Sequence, residues 1–271
     1  MNKRTIATGL GVAMILSGFM FGLSVSARAQ QADSRLYHIT KSGILRVCQW
    51  PQYYAISYRN PSTGQIEGID ADLANELAKE LGAKLEIVDS SFVTFIADLQ
   101  TNKCDIGMFG VGATLKRAQA VEFSKPYLTV GIYAIVKKNG PIKTWADIDK
   151  PGIRVADTLG SYTEPFMRSY LKHATLHAVS APATNEGELS ANRADASVAD
   201  YPSALRVRHE FDWAVVLVPP QPLRETSYAY VVAPGDQAWL NYVNLFVDTV
   251  KLDGRLKEFA DKHGLGPVIS K

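Results

Sequence analysis

Strand-like and helix-like patterns of apolar residues alternate along the chain. The apolar run Ile44–Cys48 and the segments 84–88 and 106–109 are typical of buried strands. An apolar residue at every fourth position from Ile69 to Leu81 predicts a helix, and a shorter helix is predicted over 94–101. Strands that alternate with helices of this length predict an α/β fold, with a mostly parallel sheet flanked by helices.

The alternation starts again after Lys138–Pro141. Strand-like segments at 153–156 and 196–199 are separated by helical patterns, and a last strand-like segment follows at 228–232. The sequence therefore predicts two similar units, the second inserted into the first. Such an arrangement places a cleft between two lobes, at the carboxyl ends of their strands.

The first 29 residues have the pattern of a cleavable signal peptide. A basic start, Met1–Arg4, precedes the apolar run Ile6–Val25 and the small-residue cleavage pattern Ala27–Ala29. No cysteine follows this run, so we expect export to the periplasm without a lipid anchor. Later apolar runs are shorter than the ~18 residues that a membrane span needs.

Charge excludes one class of partner. The chain has 29 basic and 27 acidic residues, and three of the basic ones lie in the leader, which leaves 26 against 27. A near-neutral mature chain has no basic excess for a polyanion, so we expect no nucleic acid as a partner.

Metal and nucleotide chemistry are weakly supported. His173 and His177 are four residues apart but lack the flanking glutamate of the zinc-binding H-E-x-x-H pattern, so we expect no metal site. Gly110 and Gly112 resemble the start of a dinucleotide-binding G-x-G-x-x-G, but Leu115 takes the third glycine's place. We expect no cofactor.

The two cysteines leave two interpretations open. Two cysteines in an exported chain indicate a disulfide. Cys48, however, ends one predicted strand and Cys104 begins another. If these strands are parallel neighbours, the two Cα atoms lie beyond the ~7 Å limit for a bridge. Two buried free thiols are the slightly preferred expectation.

Six motifs together resemble the periplasmic solute-binding proteins for polar amino acids, bacterial extracellular solute-binding protein family 3. They span essentially the whole mature chain in order, so the resemblance is more specific than any one of them. The motifs are Gly68–Leu73, Thr114–Arg117, Phe123–Tyr127, Trp145–Ile148, Gly160–Ser161 and Arg193–Ala196.

The resemblance implies a type II periplasmic binding fold with two lobes and two hinge crossovers. Residues 30–129 and 225–271 would form the first lobe and residues 130–224 the second, with hinges near 129–133 and 223–228. Such a protein is expected to be a monomer that closes around one amino acid or similar small carboxylate. It then delivers the ligand to an inner-membrane ABC permease.

Two charges match the family's ligand-binding positions. Arg117, about one turn into a helix predicted to open at Thr114, would clamp a carboxylate with its planar guanidinium. On the residues alone, a solvated surface arginine is the commoner case. Asp200 follows a predicted strand and would pair with a ligand ammonium, or it would cap the helix that begins at Tyr201–Pro202.

The residues around these charges depart from the family pattern. Gly110 and Gly112 allow close approach of the backbone, but Gly112 stands where relatives often carry Ser or Thr. Ser161 precedes a helix whose free N–H groups suit a carboxylate, and Tyr162 replaces the Thr common in relatives. Carboxylate binding therefore stays the expectation, while the fine specificity is open.

Three aromatic residues inform the identity of the ligand. Tyr53 and Phe92 match positions where relatives sandwich the ligand's body, although each would also serve in ordinary core packing. Trp50 stands where relatives that bind cationic ligands often carry Asp, which removes a counter-charge. Neutral or aromatic amino acids, or related carboxylates, are therefore favoured over lysine and arginine.

An enzyme on the same scaffold is the main alternative. Exported cyclohexadienyl (arogenate/prephenate) dehydratases resemble this family and use a carboxyl group as general acid. Glu164 falls where that acid would be. Many binding proteins also carry a glutamate here, where it complements the helix dipole, so ligand capture is the leading interpretation. A sensory ligand-binding role is a third one.

Overall fold

The computed structural model describes residues 34–271. The predicted signal peptide, residues 1–29, lies outside the described residues. Within residues 34–271, no helix combines the length and the apolar character needed to cross a membrane.

Two five-stranded sheets form the centres of two lobes. The first sheet has the order β5-β1-β6-β13-β7, and the second has the order β10-β9-β11-β8-β12. Four strands of each sheet run in one direction, while β13 in the first and β8 in the second run against them. The first sheet contains β1 (Ile44–Gln49), β5 (Lys84–Asp89), β6 (Ile106–Gly107), β7 (Glu122–Val130) and β13 (Thr226–Val232). The second contains β8 (Tyr133–Lys137), β9 (Arg154–Thr158), β10 (Thr175–Val179), β11 (Ala196–Ala199) and β12 (Ala214–Leu217).

Helices cover both faces of each sheet, and a small antiparallel sheet adjoins the first. The helices of residues 34–271 are α1 (Arg35–Ser42), α2 (Ile69–Glu80), α3 (Phe95–Gln100), α4 (Thr163–Tyr170), α5 (Asn185–Ser190), α6 (Tyr201–Glu210), α7 (Gln237–Leu252) and α8 (Arg255–Lys262). The small sheet contains β2 (Gln52–Tyr53), β3 (Ser57–Arg59) and β4 (Ile66–Glu67). Each lobe thus has an apolar cluster on either side of its sheet.

The chain passes between the lobes twice, through adjacent strands. It leaves the first sheet at the end of β7 and returns at the start of β13, where Val130 pairs with Thr226. The backbone N–H of Ile132 donates to the carbonyl of Leu223 at 3.3 Å, which keeps the two connections side by side. The insertion of the second unit into the first is therefore visible in the strand pairing.

The expectation of free thiols is wrong, because Cys48 and Cys104 form a disulfide with a Cα–Cα distance of 5.6 Å. The two strands are parallel neighbours as expected, with Cys48 opposite Gly107. The strand β6 begins only at Ile106, however, and Asn102 just before Cys104 has a φ of 64°. The chain before β6 is therefore not the extended strand that the sequence argument assumed.

The helix predicted to open at Thr114 is also wrong. Residues Arg117–Gln119 form a single 3-10 turn, and β7 begins at Glu122. Because so few residues separate the turn at Gly112 from this strand, the chain has no length for a longer helix. The side-chain oxygen of Thr114 accepts from the N–H of Arg117 at 3.3 Å, so Thr114 still caps the turn.

Candidate functional site

A cavity lies between the lobes, beside the carboxyl ends of β9 and β11. It has about 390 Å³ of empty volume, part of it open to solvent. Six of the predicted site residues line it: Trp50, Tyr53 and Phe92 from the first lobe, and Ser161, Tyr162 and Asp200 from the second.

Asp200 caps a helix with one oxygen, which is one of the two roles predicted for it, and contacts the first lobe with the other. Its Oδ1 accepts from the N–H of Ser203 at 2.9 Å and so caps α6. Its Oδ2 accepts from the hydroxyl of Tyr228 at 2.6 Å and from the hydroxyl of Tyr53. Both tyrosines belong to the first lobe, so this carboxylate joins the two lobes across the cleft.

Three buried tyrosines lie close enough to Asp200 and Arg117 to feel their charges. Burial, followed by the negative charge of Asp200, raises the pKa of Tyr53, Tyr162 and Tyr228 well above its usual value. The charge of Arg117 acts on Tyr162 in the opposite direction. All three phenols are therefore neutral at physiological pH. The hydroxyls of Tyr53 and Tyr228 donate to Asp200, whereas that of Tyr162 is buried without a hydrogen-bond partner among residues 34–271.

Arg117 is half-buried beside Phe92 and is not itself among the residues that line the cavity. Within residues 34–271, its guanidinium has only neutral hydrogen-bond partners. Its guanidinium donates to the carbonyl of Gly112 in the first lobe and to the carbonyl of Gly160 in the second, each at 2.8 Å. Its central carbon lies 5.6 Å from the ring centre of Phe92 and 5.5 Å from that of Phe95. Burial lowers the pKa of the guanidinium to about 10, so it remains charged at neutral pH.

The two departures from the family pattern occupy the same space. A Cβ built on Gly112 would lie 2.8 Å from the Cγ of Tyr162, so the tyrosine ring stands where a side chain at position 112 would begin. Gly110 has a φ of 64°, and a Cβ there would lie 2.7 Å from the ring of Tyr53. Both glycines therefore permit the tyrosines to enter the cleft.

The predicted aromatic residues form one cluster. The ring centre of Trp50 lies 5.4 Å from that of Tyr53 and 5.0 Å from that of Phe92, in tilted arrangements. Phe92 also lies beside the guanidinium of Arg117. This cluster supplies an apolar surface on the first-lobe side of the cavity.

Ser161 and Glu164 serve the first turn of α4. The hydroxyl of Ser161 accepts from the N–H of Glu164 at 3.2 Å, and the Oε2 of Glu164 accepts from the N–H of Gly160 at 2.7 Å. The Oε1 of Glu164 is held by Arg168 at 2.8 Å. Glu164 is not among the residues that line the cavity.

Sequence reasoning missed several polar residues of the cavity, among them Asp157 and Asn185. Asp157 is 2% exposed, and its Oδ1 accepts from the N–H of Thr158 and the hydroxyls of Ser161 and Thr163. Its Oδ2 and the Oδ1 of Asn185 have no partner. Asp157 lies at the carboxyl end of its strand, the same signal that singled out Asp200.

A cleft with opposite charges between two α/β lobes defines a small-molecule binding protein with the type II periplasmic binding fold. The family model of bacterial extracellular solute-binding proteins, family 3, matches residues 45–266. The chain belongs to this family. The fold predicted from the sequence and the family resemblance are both confirmed.

Relatives of the chain include both binding proteins and an enzyme. Cyclohexadienyl dehydratase from Pseudomonas aeruginosa is 31% identical over 238 residues, covering 87% of this chain and 88% of that protein. The L-cystine-binding protein TcyJ from Escherichia coli is 26% identical over 243 residues, covering 89% of each.

Among solved structures, an ancestral amino acid-binding protein described as a precursor of cyclohexadienyl dehydratase is 35% identical with a TM-score of 0.78. It matches 84% of this chain and 99% of its own length. A lysine-complexed binding component of an ABC transporter from Wolinella succinogenes is 29% identical with a TM-score of 0.74. That match covers 81% of this chain and 95% of the other.

Proposed function

We propose that this protein captures an amino acid or a similar small carboxylate between its lobes and delivers it to an ABC permease of the inner membrane. The observation that carries this proposal is the pair of charges at one cleft, Arg117 from the first lobe and Asp200 from the second. A zwitterionic amino acid has a carboxylate for the arginine and an ammonium for the aspartate.

Arg117 is suited to hold the carboxylate. A guanidinium has five N–H donors, and the carbonyls of Gly112 and Gly160 each take one. The remaining donors can bind a carboxylate with charge-assisted hydrogen bonds. Because burial weakens the hydration of this cation, a carboxylate would relieve an energetic cost that the neutral partners leave in place.

Asp200 is suited to hold the ammonium. Its Oδ2 lies inside the cleft, where the hydroxyls of Tyr53 and Tyr228 fix its position. Each hydroxyl can accept a hydrogen bond as well as donate one, so an ammonium near Asp200 finds acceptors on both lobes. Trp50 and Phe92 would then cover the carbon skeleton of the ligand.

Closure would follow from these contacts. We propose that residues 30–129 with 225–271 form one lobe and residues 130–224 the other, and that the connections near 129–133 and 223–228 act as hinges. A ligand that binds to both lobes stabilises the closed state because it contacts both lobes only there. The closed monomer would be the form recognised by the permease. Export by residues 1–29 would place it in the periplasm.

The test is ligand binding by protein purified from the periplasm, after unfolding and refolding to remove any ligand that has copurified. A thermal-shift screen of the amino acids should find at least one that stabilises the fold, and calorimetry should then give its affinity. We expect Arg117→Ala to weaken that affinity about 100-fold, because a buried charge loses its partner. The exposed Arg208→Ala is the matched control. No stabilisation by any amino acid or small carboxylate would refute the proposal.

The dehydratase is the second candidate, favoured by the 31% identity to the Pseudomonas aeruginosa enzyme. The protein would be incubated with prephenate and with arogenate, and the formation of phenylpyruvate or phenylalanine would be followed. We expect no turnover. Turnover that is lost in Glu164→Gln would establish the enzyme and displace ligand capture as the main function.

A further inference from the structure

The second-lobe side of the cavity contains acceptors that no contact of the protein uses. Asp157 and Asn185 both line the cavity, at β9 and at the start of α5. The Oδ2 of Asp157 and the Oδ1 of Asn185 are buried and have no hydrogen-bond partner within residues 34–271. Buried polar atoms are normally paired, so two unpaired acceptors at one cavity, which also contains the unpaired hydroxyl of Tyr162, indicate a place for a donor from outside the protein.

The orientation of both side chains is fixed by the protein. Asp157 is held through its other oxygen, which accepts from the N–H of Thr158 at 2.8 Å and from the hydroxyl of Thr163 at 2.9 Å. Asn185 is held through its Nδ2, which donates to the hydroxyl of Thr158 at 3.3 Å and to the carbonyl of Val198 at 3.4 Å. Each side chain therefore has one anchored end and one free acceptor.

The electrostatic setting agrees with a site for a donor. Burial raises the pKa of Asp157 to about 7, since its three hydrogen bonds do not fully replace water. A bound O–H or N–H group would supply the missing partner. Asp200 lines the same cavity, and each of its oxygens has a partner in the protein, Ser203 for one and the two tyrosines for the other. It keeps its proposed role at the ammonium, and the acceptors left without a partner are those of Asp157 and Asn185.

We propose that Asp157 and Asn185 form a second polar subsite, which binds an O–H or N–H donor on the side chain of the ligand. The inference rests on the proposed function, because it assumes that an amino acid occupies the cleft. Arg117 and Asp200 hold the groups common to all amino acids. The second subsite selects among them, in favour of side chains that carry a donor. This assignment changes the expectation drawn from Trp50, because the counter-charge missing there is present on the other lobe.

The test compares ligands of one shape that differ only in the donor. Calorimetry would measure the affinities for threonine and valine, and for ornithine and norleucine. We expect the donor-bearing member of at least one pair to bind about 10-fold more tightly or better, as a hydrogen bond to a buried charged or polar group predicts. In Asp157→Asn the free acceptor becomes a donor while the anchored oxygen is kept. This variant should bring the ratio of the two affinities within that pair close to one and leave the affinity of the apolar member unchanged.

Asn185→Leu provides a second variant, which removes the other acceptor without altering Asp157, and it should lower the same ratio. The exposed Asp212→Asn is the control. Equal affinities within both pairs for the unaltered protein would overturn the subsite. An equal loss of affinity for both members of a pair in Asp157→Asn would also overturn it, because that result would place the α-ammonium at Asp157. If no amino acid binds at all, the proposed function fails first and this inference with it.

Discussion

Asp157 and Asp200 lie near the carboxyl ends of two neighbouring parallel strands of the second lobe, yet their surroundings differ. Both are nearly buried, at 2% and 8% exposure. All hydrogen-bond partners of Asp157 belong to its own lobe. Asp200 has one partner in its own helix and two in the other lobe.

This difference separates two functions of a binding cleft. Asp200 contacts the first lobe directly, so its interactions form only when the lobes are together, and they contribute to closure. Asp157 is fixed whether or not the cleft is closed, and one of its oxygens remains free. The carboxylate of Asp200 therefore couples the two lobes, whereas that of Asp157 is available to bind a polar group of the ligand.

The largest effect expected from this comparison is on stability as a function of pH. Burial raises the pKa of Asp157 from 3.8 in the unfolded chain to about 7 in the folded protein. The folded state therefore binds more protons between these values, and its stability falls as pH rises from about 4 to about 7. Relative to the unaltered protein, Asp157→Asn should gain at most about 4 kcal/mol of unfolding free energy over this interval.

Urea unfolding at several pH values would measure this gain. The exposed Asp212→Asn is the control and should show none. Unfolding free energies of Asp157→Asn and the unaltered protein that stay parallel from pH 4 to pH 8 would show that Asp157 is not the buried acid described here.

Asp200→Asn should have the next largest effect, this time on affinity. The substitution keeps an oxygen for the cap of α6 but removes the charge that faces the ammonium. We expect a loss of about 100-fold in amino acid affinity, measured by calorimetry. Unfolding of the ligand-free variant would show that the fold is intact. If the affinity stays within about threefold of that of the unaltered protein, the ligand ammonium does not bind at Asp200.

A smaller effect is expected from Gly112→Ser, which restores the residue type common among relatives. The new Cβ would stand 2.8 Å from the ring of Tyr162, so the ring must move within the cleft. Overpacking of this kind costs roughly 1–3 kcal/mol, so the affinity should fall about 10-fold. The double variant with Tyr162→Thr should recover most of it. If the loss of affinity in the double variant equals the sum of the losses in the two single variants, the two residues act independently.

The smallest effect is expected from Glu164→Gln. The carboxylate of Glu164 is bound by Arg168 and by the N–H of Gly160, outside the lining of the cavity. The side chain of Arg168 is about half exposed, and an ion pair of this kind contributes about 1 kcal/mol or less, so the affinity should change less than about fivefold. A loss similar to that of Asp200→Asn would show that Glu164 contacts the ligand after closure.

Much of the fold was accessible from the sequence because its signals are local and repeated. Apolar periodicity placed β1, α2 and the second-lobe strands β9 and β11, and the motifs in order indicated the family. The same reasoning failed at Cys104, where a left-handed residue at Asn102 turns the chain before the strand begins. It also failed at Arg117, where a short connection replaces the predicted helix.

The site was predicted as a set of positions but not as a set of contacts. Tyr53 and Phe92 were placed in the cleft, yet no pattern indicated that Tyr228 would reach Asp200 from the last strand. Asp157 was missed because a single aspartate after an apolar run ordinarily indicates only that the strand ends there. The contact between Gly112 and Tyr162 could not be predicted either, because the two residues are 50 positions apart in the sequence and meet only in the folded protein.

The central claim is that one cleft binds both charges of a zwitterion. The most direct measurement is the affinity of the best-binding amino acid compared with two analogues, one lacking the carboxylate and one lacking the ammonium. We predict that each analogue binds about 100-fold more weakly, and that Arg117→Ala removes the difference for the first and Asp200→Asn for the second. An analogue without its carboxylate that binds as tightly as the amino acid would contradict the account.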